Sequence, residues 1–444
     1  MRRYHFELPL VGGMSKNRSR APDYSIQAEH EDRQPLIAGH EPPVPHDSYN
    51  LSYIAMVVFG LAALLPWNMF ITATSYFSKK FDNGSPFVQK QFENFITIFS
   101  QITNVSFTLI NVYLQNRFSA FSRIMSTLLG MCLLFVMTTV MVKVDTSEWT
   151  DGFFGLTIVT VVVFNAFAGV FQGGIFGLAA SFTSRHIQGY MTGQGAGGIF
   201  ASVASIISLA VTNGEDPIQS GFYYFLAATL VIIIALIMYP IFLNLPISKF
   251  YLNRVTDDLS QSFRAPSISS LSILKQIKWM LFSVWCTFCV TLTVFPSVVA
   301  SIQSVTADSP LTTTYFIPVT CFFLFNFGDF VGRTVAGSVQ VLNRKWLVIL
   351  TVARVIFIPL FAMCNYMPDE RSAPVWFDSD VYPILFMTLF AFTNGYFASL
   401  AMMYGPSLVP SGPEQAAAGA FMAFGLGLGL MSGAFMSFAL NALL

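Results

Sequence analysis

The chain has 444 residues, of which 54% are hydrophobic and only 10% charged. Soluble domains carry about 25% charged residues, so a chain this poor in charge has too little polar surface to stay dispersed, and the composition excludes a soluble protein in favour of a polytopic membrane protein. Lys and Arg total 23 against 23 Asp and Glu, a balance that points to no nucleic-acid partner.

Residues 1–49 are polar and rich in proline, serine and charge, with no apolar run before Leu51. They predict a disordered cytoplasmic tail and no cleavable signal peptide. Within the tail, Asp32-Arg33-Gln34-Pro35-Leu36-Ile37 matches an acidic dileucine pattern. Asp32, Leu36 and Ile37 are therefore candidates for binding a sorting adaptor, although the pattern is loose.

Eleven apolar stretches follow, each long enough to cross about 30 Å of hydrocarbon. They lie near 53–77, 91–115, 118–142, 153–180, 188–211, 221–246, 277–302, 312–341, 346–366, 380–404 and 414–442. The longest interruption, 247–276, is Ser-rich and basic and reads as a cytoplasmic linker loop. It divides an all-α membrane part into six helices over 50–246 and five over 277–444. With the tail inside, sixteen Lys and Arg fall in cytoplasmic segments against five outside. That is a positive-inside bias, and an odd number of spans then puts the C-terminus outside. The sequon Asn83-Gly84-Ser85 lies in the first outside loop, which makes Asn83 a glycosylation candidate.

Span one contains Leu64-Leu65-Pro66-Trp67-Asn68. Proline frees a carbonyl and kinks a helix, while Trp67 and Asn68 offer a stacking face and an amide near mid-membrane; a simple packing kink fits as well. Spans four and five carry Gly169-x-x-x-Gly173-x-x-x-Gly177 and Gly193-Gln194-Gly195-Ala196-Gly197-Gly198. Small residues let helices approach closely, so Gly169, Gly193 and Gly197 read as packing positions. Gln172, embedded among them, is a buried amide that needs partners or a cavity. The glycines of span eleven read as packing only.

Span seven carries Phe295-Pro296, a second kink with an aromatic attached, and a CxxC (Cys286, Cys289) that reads as small buried residues rather than half a metal site. Span eight holds Asp329, the only acid deep within any apolar stretch, with Arg333 at i+4 and Asn326 three residues before it. One turn of helix puts the pair on one face. Lone charges at bilayer depth cost roughly 2.5–3.5 kcal/mol each on insertion scales. Two readings fit: an ion pair locking helices together, or a polar cluster facing a ligand with several hydroxyls or ring nitrogens. Phe322 and Phe325 lie close by, and aromatics beside a polar cluster suit a planar ring with a polar rim. Arg354 in span nine is the other intramembrane base, placed to pair with a neighbouring helix or to bind carbonyls. No Walker loop, buried histidine set or nucleophile cluster accompanies these residues, so neither ATP-driven transport nor an enzyme is indicated.

Taken in order, Leu64-Leu65-Pro66-Trp67-Asn68, Thr192-Gly193-Gln194-Gly195, Phe325-Asn326-Phe327-Gly328-Asp329-Phe330-Val331-Gly332-Arg333, Asn394-Gly395-Tyr396-Phe397-Ala398-Ser399-Leu400 and Gly419-Ala420-Phe421-Met422-Ala423-Phe424 resemble the equilibrative nucleoside transporters over about 53–442. The resemblance implies a major-facilitator-like bundle carrying purine and pyrimidine nucleosides by facilitated diffusion and alternating access, without a cofactor. It implies that Asp329 and Arg333 contact the ribose, and that Leu64, Trp67, Gln172, Phe322 and Phe295 line the site with Asn326. Pro66, Asn68 and Pro296 would then shape or gate it. The plasma membrane is the expected location, with a lysosomal or endosomal membrane as the alternative. A proton-influenced intracellular carrier of nucleosides or nucleobases, or another small-solute carrier of the same architecture, remains the competing expectation.

Overall fold

Hydrocarbon offers the backbone no hydrogen-bond partner, so apolar segments crossing it must close their own amide bonds as helices. The structure is a computed structural model and describes residues 43–444 apart from residues 83, 116, 213–216, 263–268, 307, 369–373, 411 and 442–444. Asn83 and the tail residues Asp32, Leu36 and Ile37 thus lie outside the described residues. The described chain is nearly all helix. The first half forms α1 (Leu51–Thr72), α2 (Thr74–Lys80), α3 (Pro86–Leu114), α4 (Ala120–Lys143), α5 (Thr150–Ala180), α6 (Ser184–Thr212) and α7 (Pro217–Asn244). The second forms α8 (Pro246–Ser262), α9 (Ser270–Val294), α10 (Leu324–Ser338), α11 (Arg344–Ala353), α12 (Phe357–Ala362), α13 (Val381–Tyr404) and α14 (Gly412–Asn441). No strand occurs among the described residues; an isolated bridge joins Ile302 and Tyr366.

Ten described helices are long and apolar enough to cross a membrane. The expected eighth span is not one of them. It comes as a π-helical segment, Ile317–Phe323, running directly into α10. Together these cover residues 317–338, enough at 1.5 Å per residue for about 30 Å, but the two charges lower the hydropathy. The linker-loop expectation is corrected: α8 fills residues 246–262 and α9 begins at Ser270. Ser269 caps α9 by accepting from the Ser272 N–H, the role serine favours at a helix start. The expected span one breaks at Ala73, giving α1 and α2.

Helix faces divide as a bilayer requires. Leu133, Val140, Ile207 and Ile237 are exposed and face outward as a lipid-compatible surface. Phe70, Phe77, Phe135, Phe164 and Phe225 interlock inside, with ring centroids 5.0–6.2 Å apart. Buried threonines return their hydroxyls to the carbonyl four residues back, as Thr139, Thr157 and Thr229 do at 2.7–2.8 Å, so these three hydroxyls are satisfied. α1 and α6 pack backbone to backbone: a Cβ on Gly193 would fall on the Val57 carbonyl oxygen. Their first turns are also tied by Arg185 donating to Asn50 Oδ1 at 3.0 Å and by a 2.9 Å Ser52–His186 bond. Gly169 meets the Asn104 carbonyl and Gly197 lies against Leu65, so all three expected packing glycines stand at helix crossings.

Candidate functional site

A cavity of about 470 Å³ lies among the helices. Small-molecule sites run from about 300 to 1,000 Å³. From α1 come Leu64, Trp67 and Asn68; from α3, Gln101 and Asn104; from α5, Asn165 and Gln172. α6 adds Gln194, Ser202 and Ser205, α9 adds Thr291 and the following Phe295-Pro296, and α14 adds Leu426 and Leu430. Phe322, Phe325, Asn326, Asp329 and Arg333 line it from the π segment and α10, and Asn394 from α13. All eight residues expected at a ligand site on the sequence therefore meet in one cavity, together with Asn68 and Pro296. Pro66, Gly169, Gly193 and Gly197 do not line it.

Asp329 and Arg333 are 5% and 4% exposed. Arg333 Nε donates to Asp329 Oδ2 at 2.6 Å, and Asn394 Nδ2 donates to Oδ1 at 2.6 Å. The carboxylate is thus held from both sides, by a neighbour one turn away and by a helix 65 residues on in sequence. α10 and α13 can come this close because glycines meet backbone there: Gly395 faces the Asp329 carbonyl and Gly332 the Phe392 carbonyl. The ion pair is a wall element of the cavity, as the ligand-facing reading requires, and it also joins helices, as the structural reading requires. Asn326 serves packing more than expected: its Nδ2 donates to Ser202 Oγ at 2.7 Å and to the Phe322 carbonyl at 2.9 Å. Phe295 stacks on Phe325 with centroids 4.0 Å apart and meets Phe322 edge-on at 5.8 Å.

Towards the end of the bundle where α1 begins, hydrogen bonds join α10 to α6. Arg333 Nη1 donates to Gln194 Oε1 at 3.2 Å and to the Met191 carbonyl at 3.4 Å, and Gln188 Nε2 donates to the Arg333 carbonyl at 3.4 Å. Beside this, α5 and α14 come together with small residues, Gly419 against the Phe176 carbonyl and Gly177 against the Ala416 carbonyl.

Several polar lining residues carry little signal in the sequence. Gln101 and Asn104 begin a polar series on α3 (Gln101, Asn104, Thr108, Asn111) at helical spacing, a signal present but overshadowed by charge. Asn165 and Ser205 look like ordinary small polar residues. Asn394 stands out only through the motif Asn394-Gly395-Tyr396-Phe397.

A family model described as nucleoside transporter matches residues 158–267 and 255–442. The chain is 33% identical over 422 residues to equilibrative nucleoside transporter 3 of Rattus norvegicus, covering 88% of each. It is 34% identical over 458 residues to equilibrative nucleoside transporter 1 of Homo sapiens, covering 90% of this chain and 98% of the relative. Among solved structures it is similar to the major facilitator superfamily proton:xylose symporter XylE, with a TM-score of 0.59, 13% identity and 90% of each chain covered. The human organic anion transporter MFSD10 is similar at a TM-score of 0.52 and 11% identity, over 88% of this chain and 94% of that one. With the major-facilitator fold, the multi-pass helices and these matches together, the chain belongs to the nucleoside transporter family.

Proposed function

We propose that the protein is an equilibrative transporter that moves nucleosides across a membrane by facilitated diffusion. The observation that carries this reading is the buried Asp329–Arg333 pair on the wall of a cavity otherwise lined by uncharged amide, hydroxyl, aromatic and aliphatic side chains. A sugar ring presents hydroxyls that both donate and accept. A carboxylate accepts from them and a guanidinium donates to them, through charge-assisted bonds that are shorter and stronger than neutral ones. The base is flat, uncharged and edged with donors and acceptors, which suits Trp67 and the Phe295–Phe325 stack for its faces and the amides Gln101, Asn104 and Gln172 for its edge. The relatives bear the name nucleoside transporter, which accords with this chemistry.

In this reading the bundles 50–246 and 277–444 rock about the central cavity, exposing it to each side in turn. No coupling ion is required, so uptake into cells lacking endogenous carriers should saturate with uridine or adenosine, resist sodium removal and be blocked by nucleosides but not by glucose. Uptake of glucose with no nucleoside competition would sink the proposal. We place the N-terminus on the cytoplasmic side, on the Lys and Arg asymmetry, and the protein in the plasma membrane. Glycosidase digestion should then shift the wild-type band and leave Asn83→Gln unshifted.

We assign base discrimination to the amides of α3, Gln101 and Asn104. One neutral hydrogen bond is worth about 1 kcal/mol, and a site built to bond a polar group rejects analogues that lack it. Gln101→Leu with Asn104→Leu should raise the KM for adenosine roughly 10-fold and flatten the preference for adenosine over purine riboside, which lacks the exocyclic amine. Competition assays read the ratio directly; a preference equal to wild type would remove α3 from the base subsite.

A further inference from the structure

Arg354 is 2% exposed and begins a short 3-10 stretch, Arg354–Ile356, between α11 and α12. Pro359 explains the change of helix type, since it has no N–H to return to the Val355 carbonyl. None of the groups bonded to Arg354 carries a charge. Nη1 donates to the Thr287 carbonyl at 2.8 Å, Nη2 to the Phe390 carbonyl at 3.0 Å and to Thr291 Oγ1 at 3.1 Å, and Nε to Thr393 Oγ1 at 3.2 Å. The guanidinium carbon lies 4.7 Å from the Phe390 ring centre. A cation held at bilayer depth by neutral partners is costly, and a neutral side chain would pack α11–α12 against α9 and α13 at lower cost. Its charge therefore calls for a use.

The hydrogen bonds supply one. Thr291 Oγ1 accepts from Arg354 and lies 2.7 Å from Asn394 Oδ1 and 2.8 Å from the Thr287 carbonyl. It has a single proton to give; the Thr287 carbonyl already accepts from Arg354 and, four residues back within α9, from the Thr291 backbone N–H, which fills both of its lone pairs, so the hydroxyl serves Asn394. With its oxygen thus engaged, the Asn394 amide can turn only its NH₂ to Asp329 Oδ1, at 2.6 Å. A reversed amide would set its oxygen against the carboxylate.

We infer that Arg354 is a positioning residue of the sugar subsite, acting through Thr291 and Asn394 to hold Asp329 as an oriented carboxylate. The inference rests on the proposed function, in which Asp329 receives the hydroxyls of the nucleoside sugar. Arg354 itself does not line the cavity; its influence is relayed. The relay should therefore be felt by substrates in proportion to the hydroxyls they offer.

The test compares initial uptake of uridine and 2′,3′-dideoxyuridine by the full-length protein, normalised to the amount in the membrane. Arg354→Gln should raise the KM for uridine about 10-fold and that for dideoxyuridine less than about 2-fold. Arg354→Lys, which keeps the charge but forms fewer bonds, should fall between. Thr291→Val removes one hydroxyl at constant shape and should give the same selective pattern, smaller in size; it keeps the test decisive if Arg354→Gln fails to reach the membrane. An equal rise for both substrates, or no rise for either, overturns the relay. Wild-type protein that carries no uridine, or Asp329→Asn protein that carries it normally, would instead overturn the proposed function.

Discussion

Asp329→Asn should lower uridine uptake, normalised to protein in the membrane, by about 100-fold or more. Asparagine keeps the shape of the side chain but removes the charge that both neighbours use. Arg333 Nε and Asn394 Nδ2 each donate to the carboxylate at 2.6 Å, and an asparagine has one oxygen for two donors. Losing one partner of a buried charged pair costs about 2–5 kcal/mol, and every 1.4 kcal/mol is tenfold. Part of that cost falls on folding, because Arg333 is left charged and unpaired. Pairing Asp329→Leu with Arg333→Met separates the two effects. Replacing both members of a buried pair by apolar residues is often neutral or stabilising, so the double variant should regain thermal stability in detergent while uptake stays at background. Uptake restored along with stability would show that the pair acts only as a helix lock.

Gly395→Val should abolish the folded protein. A Cβ on Gly395 would land on the Asp329 carbonyl oxygen, with the Arg333 nitrogen 2.9 Å away. Both obstacles are backbone, so no rotamer change relieves the overlap and α10 must separate from α13. Overpacking usually costs about 1–3 kcal/mol, and here the displaced helix also carries the ion pair. Even Gly395→Ala should lower the melting temperature by about 3 °C, measured by fluorescence-detected size exclusion after heating. Gly155→Ala on α5 supplies the contrast. Nothing lies within 4 Å of its Cβ position, and alanine favours a helix by about 1 kcal/mol over glycine, so its melting temperature should be unchanged or slightly raised.

The Asp329–Arg333 pair was legible because charge inside an apolar stretch is conspicuous and an i,i+4 spacing fixes the shared face. Its third partner was not. Asn394 reaches Asp329 across the fold, and nothing in local spacing announces a contact between α10 and α13. Arg354 was visible as a buried base, but it bonds carbonyls and hydroxyls, which any stretch of chain provides. Helix type was also beyond reach: hydropathy cannot tell the π turns of Ile317–Phe323 from α-helix. α8 escapes hydropathy because it is a polar helix and shows no apolar run. Gln101 and Asn104 show a milder failure, since neutral amides disturb a hydrophobic pattern less than charges do.

The bonds within the Asp329 cluster are short, at 2.6 Å, whereas those joining Arg333 to α6 measure 3.2 and 3.4 Å. Geometry of the first kind resists deformation and geometry of the second yields. A carrier driven by nothing but the concentration difference must unlatch at thermal cost alone, and return just as readily. Under the proposed function, the grip on the cargo and the hasp on the door would meet in one guanidinium, firmly bonded on one side and loosely on the other, so that the second could open while the first holds.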